Sequence, residues 1–274
     1  MDITEKQLVS GLKRRDQESY RVLYERYGKK VYNLAYKMCG NQDDADDIVQ
    51  GTFVRAFRNI DGFREESGVY TWLYTIAKNL CLRLLENRKK STVSSLDTLI
   101  HTVPVAENEY SAIEKQYYID QVKEGCLLGL LRCLSFYQRI AFILYTLLEM
   151  RVKDIAVIID KSETATRTLV HRARQNIRGF LCRNCHYYDP DNPCRCENFI
   201  DFSLRQGWIK KMTDSAPQSQ VTAMEIEMEI RDLKKISAIY HSLPEHRPPE
   251  DIIRLIREKI ARQEYCILNH KKVK

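Results

Sequence analysis

Asp43-Asp44-Ala45-Asp46-Asp47-Ile48-Val49-Gln50 opens a segment that continues Gly51-Thr52-Phe53-Val54-Arg55-Ala56-Phe57-Arg58-Asn59-Ile60. Carboxylates come first, where they complement the positive end of a helix dipole. Asp43 or Asp44 can cap the N-terminus. Ala45, Ile48, Val49, Thr52, Phe53, Ala56 and Ile60 fall at helical spacing, so the segment predicts an amphipathic helix that Asp61-Gly62 ends. Upstream, Leu23, Tyr27, Val31, Leu34 and Met38 predict a helix stopped by Gly40-Asn41. Downstream, Ser67 can cap a third helix whose inner face is Leu73, Ile76, Ala77, Leu80 and Leu84. Helices joined by such short turns predict a compact bundle.

Farther along, residues 91–110 are richer in Ser, Thr and Val, lack clear periodicity and read as a linker. Helical patterning returns with Cys126, Leu130, Leu131 and Leu134, then Ile140, Leu144 and Leu147. A short segment over 152–159 is followed by a turn at Asp160-Lys161, and Ser162 can cap the next helix. That helix carries Ala165, Leu169, Ala173 and Ile177 on one face and Arg167, His171, Arg174 and Arg178 on the other. A short helix, a tight turn and a basic second helix form a helix-turn-helix pattern. The competing reading is a solvated basic face on an ordinary helical hairpin. Residues 212–221 read as a polar linker before two tail helices, one with Ile226, Ile230, Leu233 and Ile236, the other with Ile252, Ile256 and Ile260 after Pro248-Pro249.

The chain has 274 residues, 44% of them hydrophobic, so it can build packed cores and about two domains. With 10 Gly, 7 Pro and few alternating windows, the fold class is all-α. The net charge of +7 is too mild to establish nucleic-acid binding by itself, so the position of the charge carries the argument. Met1-Asp2-Ile3-Thr4-Glu5-Lys6 has no apolar signal core, and no run is long and apolar enough to span a bilayer; a cytoplasmic address and no membrane insertion are expected. No phosphate-cradling glycine loop, helical His-Glu-x-x-His pair or nucleophile elbow is present, which argues against an enzyme.

Taken together, the acidic helix start, the aromatic middle and the basic end at Asn87-Arg88-Lys89-Lys90 suit a module that holds a protein on one face and opened DNA on another. Arg83, Arg88, Lys89 and Lys90 can neutralise phosphates. Phe63, Tyr70 and Trp72 offer faces for an unstacked base, and the Asn79 amide can pair with a base edge. For Trp72, core packing is the stronger competing reading, while Phe63 and Tyr70 are open either way.

In combination, Tyr32-Asn33-Leu34-Ala35-Tyr36, Asp44 to Gln50, Thr52 to Asn59 and Thr71-Trp72-Leu73-Tyr74, with His171-Arg172-Ala173-Arg174 later, resemble a bacterial sigma factor of the extracytoplasmic function group, in the sigma-70 family. Residues 20–90 look like region two and 134–181 like region four. The resemblance implies an N-terminal helical domain over 1–90, a linker over 91–120, a helix-turn-helix domain over 121–181, a Cys-rich extension over 182–211, and a linker with a helical tail over 212–274. It implies docking on the β′ clamp of core RNA polymerase through Asp43, Asp44, Asp46, Asp47 and Gln50. It implies promoter DNA contacts by Phe63, Arg64, Tyr70, Trp72, Asn79, Arg83, Arg88, Lys89 and Lys90 at the minus-ten element. At the minus-thirty-five element the implied set is Thr164, Arg167, Thr168, His171, Arg172, Arg174 and Arg178, with region four also packing on the β flap. An anti-sigma regulator is a further candidate partner. This chain departs from the family pattern at Gly51, where an acidic residue is usual, at Asp160 for the turn glycine, at Lys161 for an apolar residue, and at Leu169 for a frequent arginine. The alternatives are a helix-turn-helix regulator that binds duplex DNA alone, and a metal- or thiol-sensing protein.

Cysteine usage adds a separate expectation. Of 9 cysteines, Cys182, Cys185, Cys194 and Cys196 crowd together, with a Pro- and Asn-rich turn between the pairs. In a reducing compartment such clustering suggests metal or thiol chemistry rather than a disulfide scaffold. These four could close a tetrahedral zinc site, with His186 as a spare ligand; copper(I) is the alternative because the second pair is so tightly spaced. Cys39, Cys81, Cys126, Cys133 and Cys266 read as small core residues.

Overall fold

The computed structural model describes residues 3–86, 93–103 and 109–212, the first stretch of side chains in 93–97 aside. Its elements are helices: α1 (Glu5–Lys13), α2 (Gln17–Cys39), α3 (Gln42–Asn59), α4 (Val69–Glu86), α5 (Val93–Thr102), α6 (Ala112–Cys133), α7 (Phe136–Phe142), α8 (Val152–Ile159), α9 (Glu163–Asn184) and α10 (Ile200–Arg205). The tail helices expected beyond 212, and Arg88, Lys89 and Lys90, lie outside the described residues. By contacts the chain forms two compact units, the first holding α1–α4 with Val152–Ser162, the second holding α5–α7, α9 and α10.

In the first unit, α2, α3 and α4 pack on one another, α1 closes on α2, and α8 lies against α4. The expected stripe of α3 is inside: Ala45, Ile48, Val49, Thr52, Phe53 and Ala56 are buried. Around it sit Leu23, Val31, Tyr32, Leu34, Met38 and Leu73. Gly40, at φ 70°, ends α2 in the left-handed region that favours glycine. Gly51 has a packing reason: a Cβ there would stand 3.2 Å from Leu80 Cδ1. The helix tolerates its unfavourable propensity where α3 and α4 approach closely.

Two expected caps are elsewhere. Asn41, not Asp43 or Asp44, caps α3, its side-chain oxygen accepting from the Asp44 N–H at 3.0 Å. At the start of α4 the Val69 N–H donates to the Glu5 carboxylate at 2.7 Å, so α1 supplies the acceptor that Ser67 was expected to provide. Glu5 also brings a negative charge to the positive end of α4. The helix α1 itself has a capping box between Thr4 and Gln7 and buries Leu8, Val9 and Leu12.

In the second unit, α7 packs on α9, and Leu131, Ile140, Phe142, Leu144, Ile177 and Phe180 are buried. Ser111 with Glu114 and Ser135 with Gln138 form capping boxes that open α6 and α7. Part of the expected linker is helical, as α5 and the start of α6. The residues expected as one helix-turn-helix block are divided, since Val152–Ser162 gathers with the first unit while α9 gathers with the second. The turn between them is as expected: Asp160 adopts φ 54°, a conformation Asp tolerates better than most residues.

Replacing Glu5 by Ala removes the α4 cap without touching the core. We expect a loss of about 1 kcal/mol, read as a lower urea midpoint with unchanged slope. Trp72 fluorescence in a Trp208→Phe background is the probe.

Candidate functional site

The burial of one face of α3 leaves the other as an acidic edge. Asp43 and Asp47 are exposed, and Asp44, Asp46 and Gln50 are half-buried. Asp46 is held in an unfavourable position. Its Oδ1 is buried and accepts no hydrogen bond. Burial first, then the neighbouring charges of Asp43 and Asp47, push its carboxyl up to about 6. An acid destabilised in this way gains when a cation or donor arrives, so the edge suits a positively charged partner surface.

The face of α4 separates the residues expected to meet DNA. Asn79 and Arg83 are exposed on α4, and Arg64 is exposed in the loop before it. Trp72 is half-buried, its ring centroid 5.1 Å from that of Phe63. Phe63 is only 5% exposed, so it supports Trp72 from inside and does not offer a free face to a base. Tyr70 is half-buried and its hydroxyl donates to Asp154 Oδ2 of α8 at 2.8 Å. That bond occupies the polar end of the ring. Lys78, on the same helix, is buried, and burial lowers its ammonium below the usual lysine range.

On α9 the buried stripe is Thr166, Val170, Ala173, Ile177, Phe180 and Leu181. The expected stripe began at Ala165 and Leu169, which are half-buried. Thr164, Arg167, Thr168, His171, Arg172 and Arg178 are exposed. Arg174 is half-buried and committed inward: its guanidinium lies 5.0 Å from the Tyr145 ring centroid and Nη2 donates to Thr146 Oγ1 at 3.4 Å. Arg178 is turned toward Tyr188 and Cys182, both of which favour its charged form. The exposed basic surface is therefore at the first half of the helix, around Arg167, whose guanidinium pairs with Glu163 one turn back at 3.4 Å, His171 and Arg172.

Behind α9 the cysteine segment folds back. The Asn192 side-chain amide donates to the carbonyls of Cys182 at 3.0 Å and Cys185 at 3.1 Å, covering the end of the helix. The Cys194 N–H donates to the Asn184 carbonyl at 3.0 Å and the His186 N–H to the Cys194 carbonyl at 3.1 Å, which sets Cys185 beside Cys194 in an isolated bridge. Cys196 is buried in a small core with Tyr118, Ile119 and Val122 of α6, and with Ile200 and Ile209. Among the expected ligands, the Cys182 thiol is engaged with Tyr188 and Arg178. Burial raises the Cys185 thiol and pushes that of Cys194 up to about 12. Cys126, expected only as a core residue, lies within electrostatic range of Cys185 and Cys194, and Cys196 within range of all three. As placed, no group of three or more His, Cys, Asp or Glu side chains among the described residues is arranged around a metal ion. Cys39 and Cys81 are buried core residues, as expected, and Cys266 lies outside the described residues.

Comparison with known proteins gives a consistent set of relatives. The Sigma-70 region 2 family matches residues 23–91 and the Sigma-70, region 4 family matches residues 124–177. The chain is 30% identical over 188 residues to the ECF RNA polymerase sigma factor SigW of Bacillus subtilis, covering 65% of this chain and 97% of that protein. It is 29% identical over 179 residues to the ECF RNA polymerase sigma-E factor of Escherichia coli, covering 64% of this chain and 93% of that protein. Among solved structures, CnrH in complex with the cytosolic domain of CnrY is similar at a TM-score of 0.49 and 20% identity, over 65% of this chain and 97% of that one. No helix among the described residues is long and apolar enough to cross a membrane.

The folded chain keeps the Asp46 proton to about pH 6, whereas the unfolded reference is 3.8. Asp46 therefore stabilises the fold less as pH rises through that window. Asp46→Asn should be more stable than the parent at pH 7, by on the order of 1 kcal/mol after solvent screening of a half-buried group. That advantage should shrink toward pH 4 in paired thermal melts. For α9, Arg174→Ala should lower thermal stability, while Arg167→Ala should leave it unchanged and reduce the salt dependence of duplex binding by about one counterion.

Proposed function

The chain belongs to the ECF RNA polymerase sigma factor family, and we propose that its surfaces divide the work of initiation among α3, α4 and α9. As a sigma factor it binds core RNA polymerase and directs promoter-specific initiation of transcription. Its role is recognition and strand opening rather than covalent catalysis. We place it in the cytoplasm, where polymerase works.

In this reading the acidic edge of α3, with Asp43, Asp44, Asp46, Asp47 and Gln50, docks on the clamp of the β′ subunit. The observation that carries the assignment is Asp46, a carboxylate kept half-buried among like charges with Oδ1 unpaired. Docking against a basic surface would relieve that cost. Trp72, Asn79, Arg83 and Arg64 form the surface for opened promoter DNA, with Phe63 bracing Trp72 from below. An aromatic face can hold an unstacked base, and cations hold the strand through its phosphates. Tyr70 joins this surface on release of its bond to Asp154. Thr164, Arg167, Thr168, His171 and Arg172 present the polar face of α9 to duplex DNA upstream, Arg167 and Arg172 supplying charge while the smaller side chains reach base edges. Arg174 supports the helix from within.

Purified full-length chain added to core polymerase should give transcripts from defined start points. Asp47→Arg should abolish co-purification with core enzyme and reduce transcription at least about tenfold, corresponding to 1.4 kcal/mol or more of docking energy. Arg167→Ala should co-purify normally and initiate less. Binding of a defined duplex by the chain alone, with no effect on core polymerase, would instead favour an ordinary helix-turn-helix regulator.

A further inference from the structure

The turn that ends α1 has the backbone of one residue type and the side chain of another. It makes both bonds of a Schellman motif: the Arg15 N–H donates to the Leu12 carbonyl at 3.0 Å, and the Asp16 N–H to the Gly11 carbonyl at 3.0 Å. The residue at the head of that motif stands in the left-handed region, where glycine costs least, yet Arg15 occupies it at φ 61°. Such an outlier points to a use for the side chain, and its contacts supply one. The Arg15 guanidinium lies 5.1 Å from the Phe57 ring centroid, donates through Nη1 to the Phe57 carbonyl, and pairs through Nη2 with Asp61 Oδ2 at 2.6 Å.

Asp61 belongs to the segment between α3 and α4 that carries Phe63 and Arg64. Lys13 pairs with Glu65 in the middle of that loop at 3.1 Å, and Glu5 accepts from the Val69 N–H at its end at 2.7 Å. The helix therefore meets the loop in reverse order, Arg15 with Asp61, Lys13 with Glu65 and Glu5 with Val69. It lies along the loop as a splint, with Leu8, Val9 and Leu12 buried. Glu65 itself stands at φ 60°, so the middle of the loop holds a conformation that the chain alone disfavours.

The loop is also acidic for a segment beside DNA, with Asp61, Glu65 and Glu66 against Arg64. Carboxylates without partners there would repel a phosphate backbone. Lys13 and Arg15 neutralise two of them and leave Arg64 exposed, next in the chain to the Phe63 that braces Trp72. We propose that Lys13 and Arg15 are positioning residues for promoter recognition: they fix the loop over 61–68 and cancel its charge, so the choice of bases in the opened strand depends on α1. They act through the loop rather than by touching DNA. This deepens the assignment of Arg64 and Trp72 to opened promoter DNA and rests on it. Exposed ion pairs add little to global stability, so their loss is felt in recognition rather than in folding.

The test reconstitutes the full chain and its variants with core polymerase. Each is given a library of duplexes randomised across the upstream and downstream promoter elements, and the transcribed templates are sequenced. Arg15→Gly deletes the guanidinium but suits the turn, so its melting temperature should equal or exceed the parent's, with co-purification unchanged. Its base discrimination at the downstream element should fall at least about fivefold, the lower end of what one misread base pair costs, while upstream preference is kept. Lys13→Glu should lose discrimination in the same way, and Lys13→Glu combined with Glu65→Lys should regain it. Arg14→Ala, whose parent side chain reaches Ser10 of its own helix at 3.3 Å, should match the parent. Parent-like discrimination in Arg15→Gly, or no recovery in the double variant, would overturn the inference. So would an equal loss at both elements, which marks general damage to the fold. If the parent itself gives no defined start points, the initiation reading fails and this inference fails with it.

Discussion

Burial of one stripe of α3 is the constraint on which the first unit depends. Ala45, Ile48, Val49, Thr52, Phe53 and Ala56 must face α2 and α4, and helical geometry then leaves no choice for the residues between them. Asp43 and Asp47 are driven to the surface and Asp46 to its margin. The core thus sets the position of the acidic edge, and the cost of that position appears in the raised Asp46 carboxyl. Gly51 belongs to the same constraint, because it admits Leu80 where the two helices come together.

Function follows from how differently the three exposed helical faces are built. The edge of α3 concentrates negative charge beside a partly dehydrated carboxylate, which favours a cationic protein partner. The face of α4 combines a half-buried indole with an exposed amide and guanidinium, groups matched to a strand whose bases are turned outward. The front of α9 is a narrow cationic surface with short polar side chains between the arginines, a form suited to the major groove. In the proposed division of labour each face addresses a different state of the targets: protein, opened strand and closed duplex.

Much of this was legible from periodicity. The packing faces of α2 and α3, the stop at Gly40 and the turn at Asp160 follow from local rules that the structure obeys. Failures arose where a distant residue changes a local choice. Glu5 caps α4 from across 64 residues, which no reading of the α4 flank could show. The buried stripe of α9 includes Thr166 and Val170, while Leu169 is left half-covered. Arg174 has the same spacing as the exposed arginines, yet Tyr145 and Thr146 draw it inward. In the cysteine segment, spacing grouped the four thiols, whereas folding also buries Cys196 in a small core against α6 and turns Cys182 toward Tyr188 and Arg178. Adjacency along the chain is a poor guide where a loop returns onto an earlier helix.

The central claim is that the acidic edge of α3 is the surface that meets polymerase. Hydrogen–deuterium exchange of the full chain, with and without core RNA polymerase and in the absence of DNA, addresses it directly. Docking through this edge predicts slowed exchange concentrated over residues 42–50. Unchanged exchange there, in a complex that slows exchange elsewhere on the chain, would contradict it.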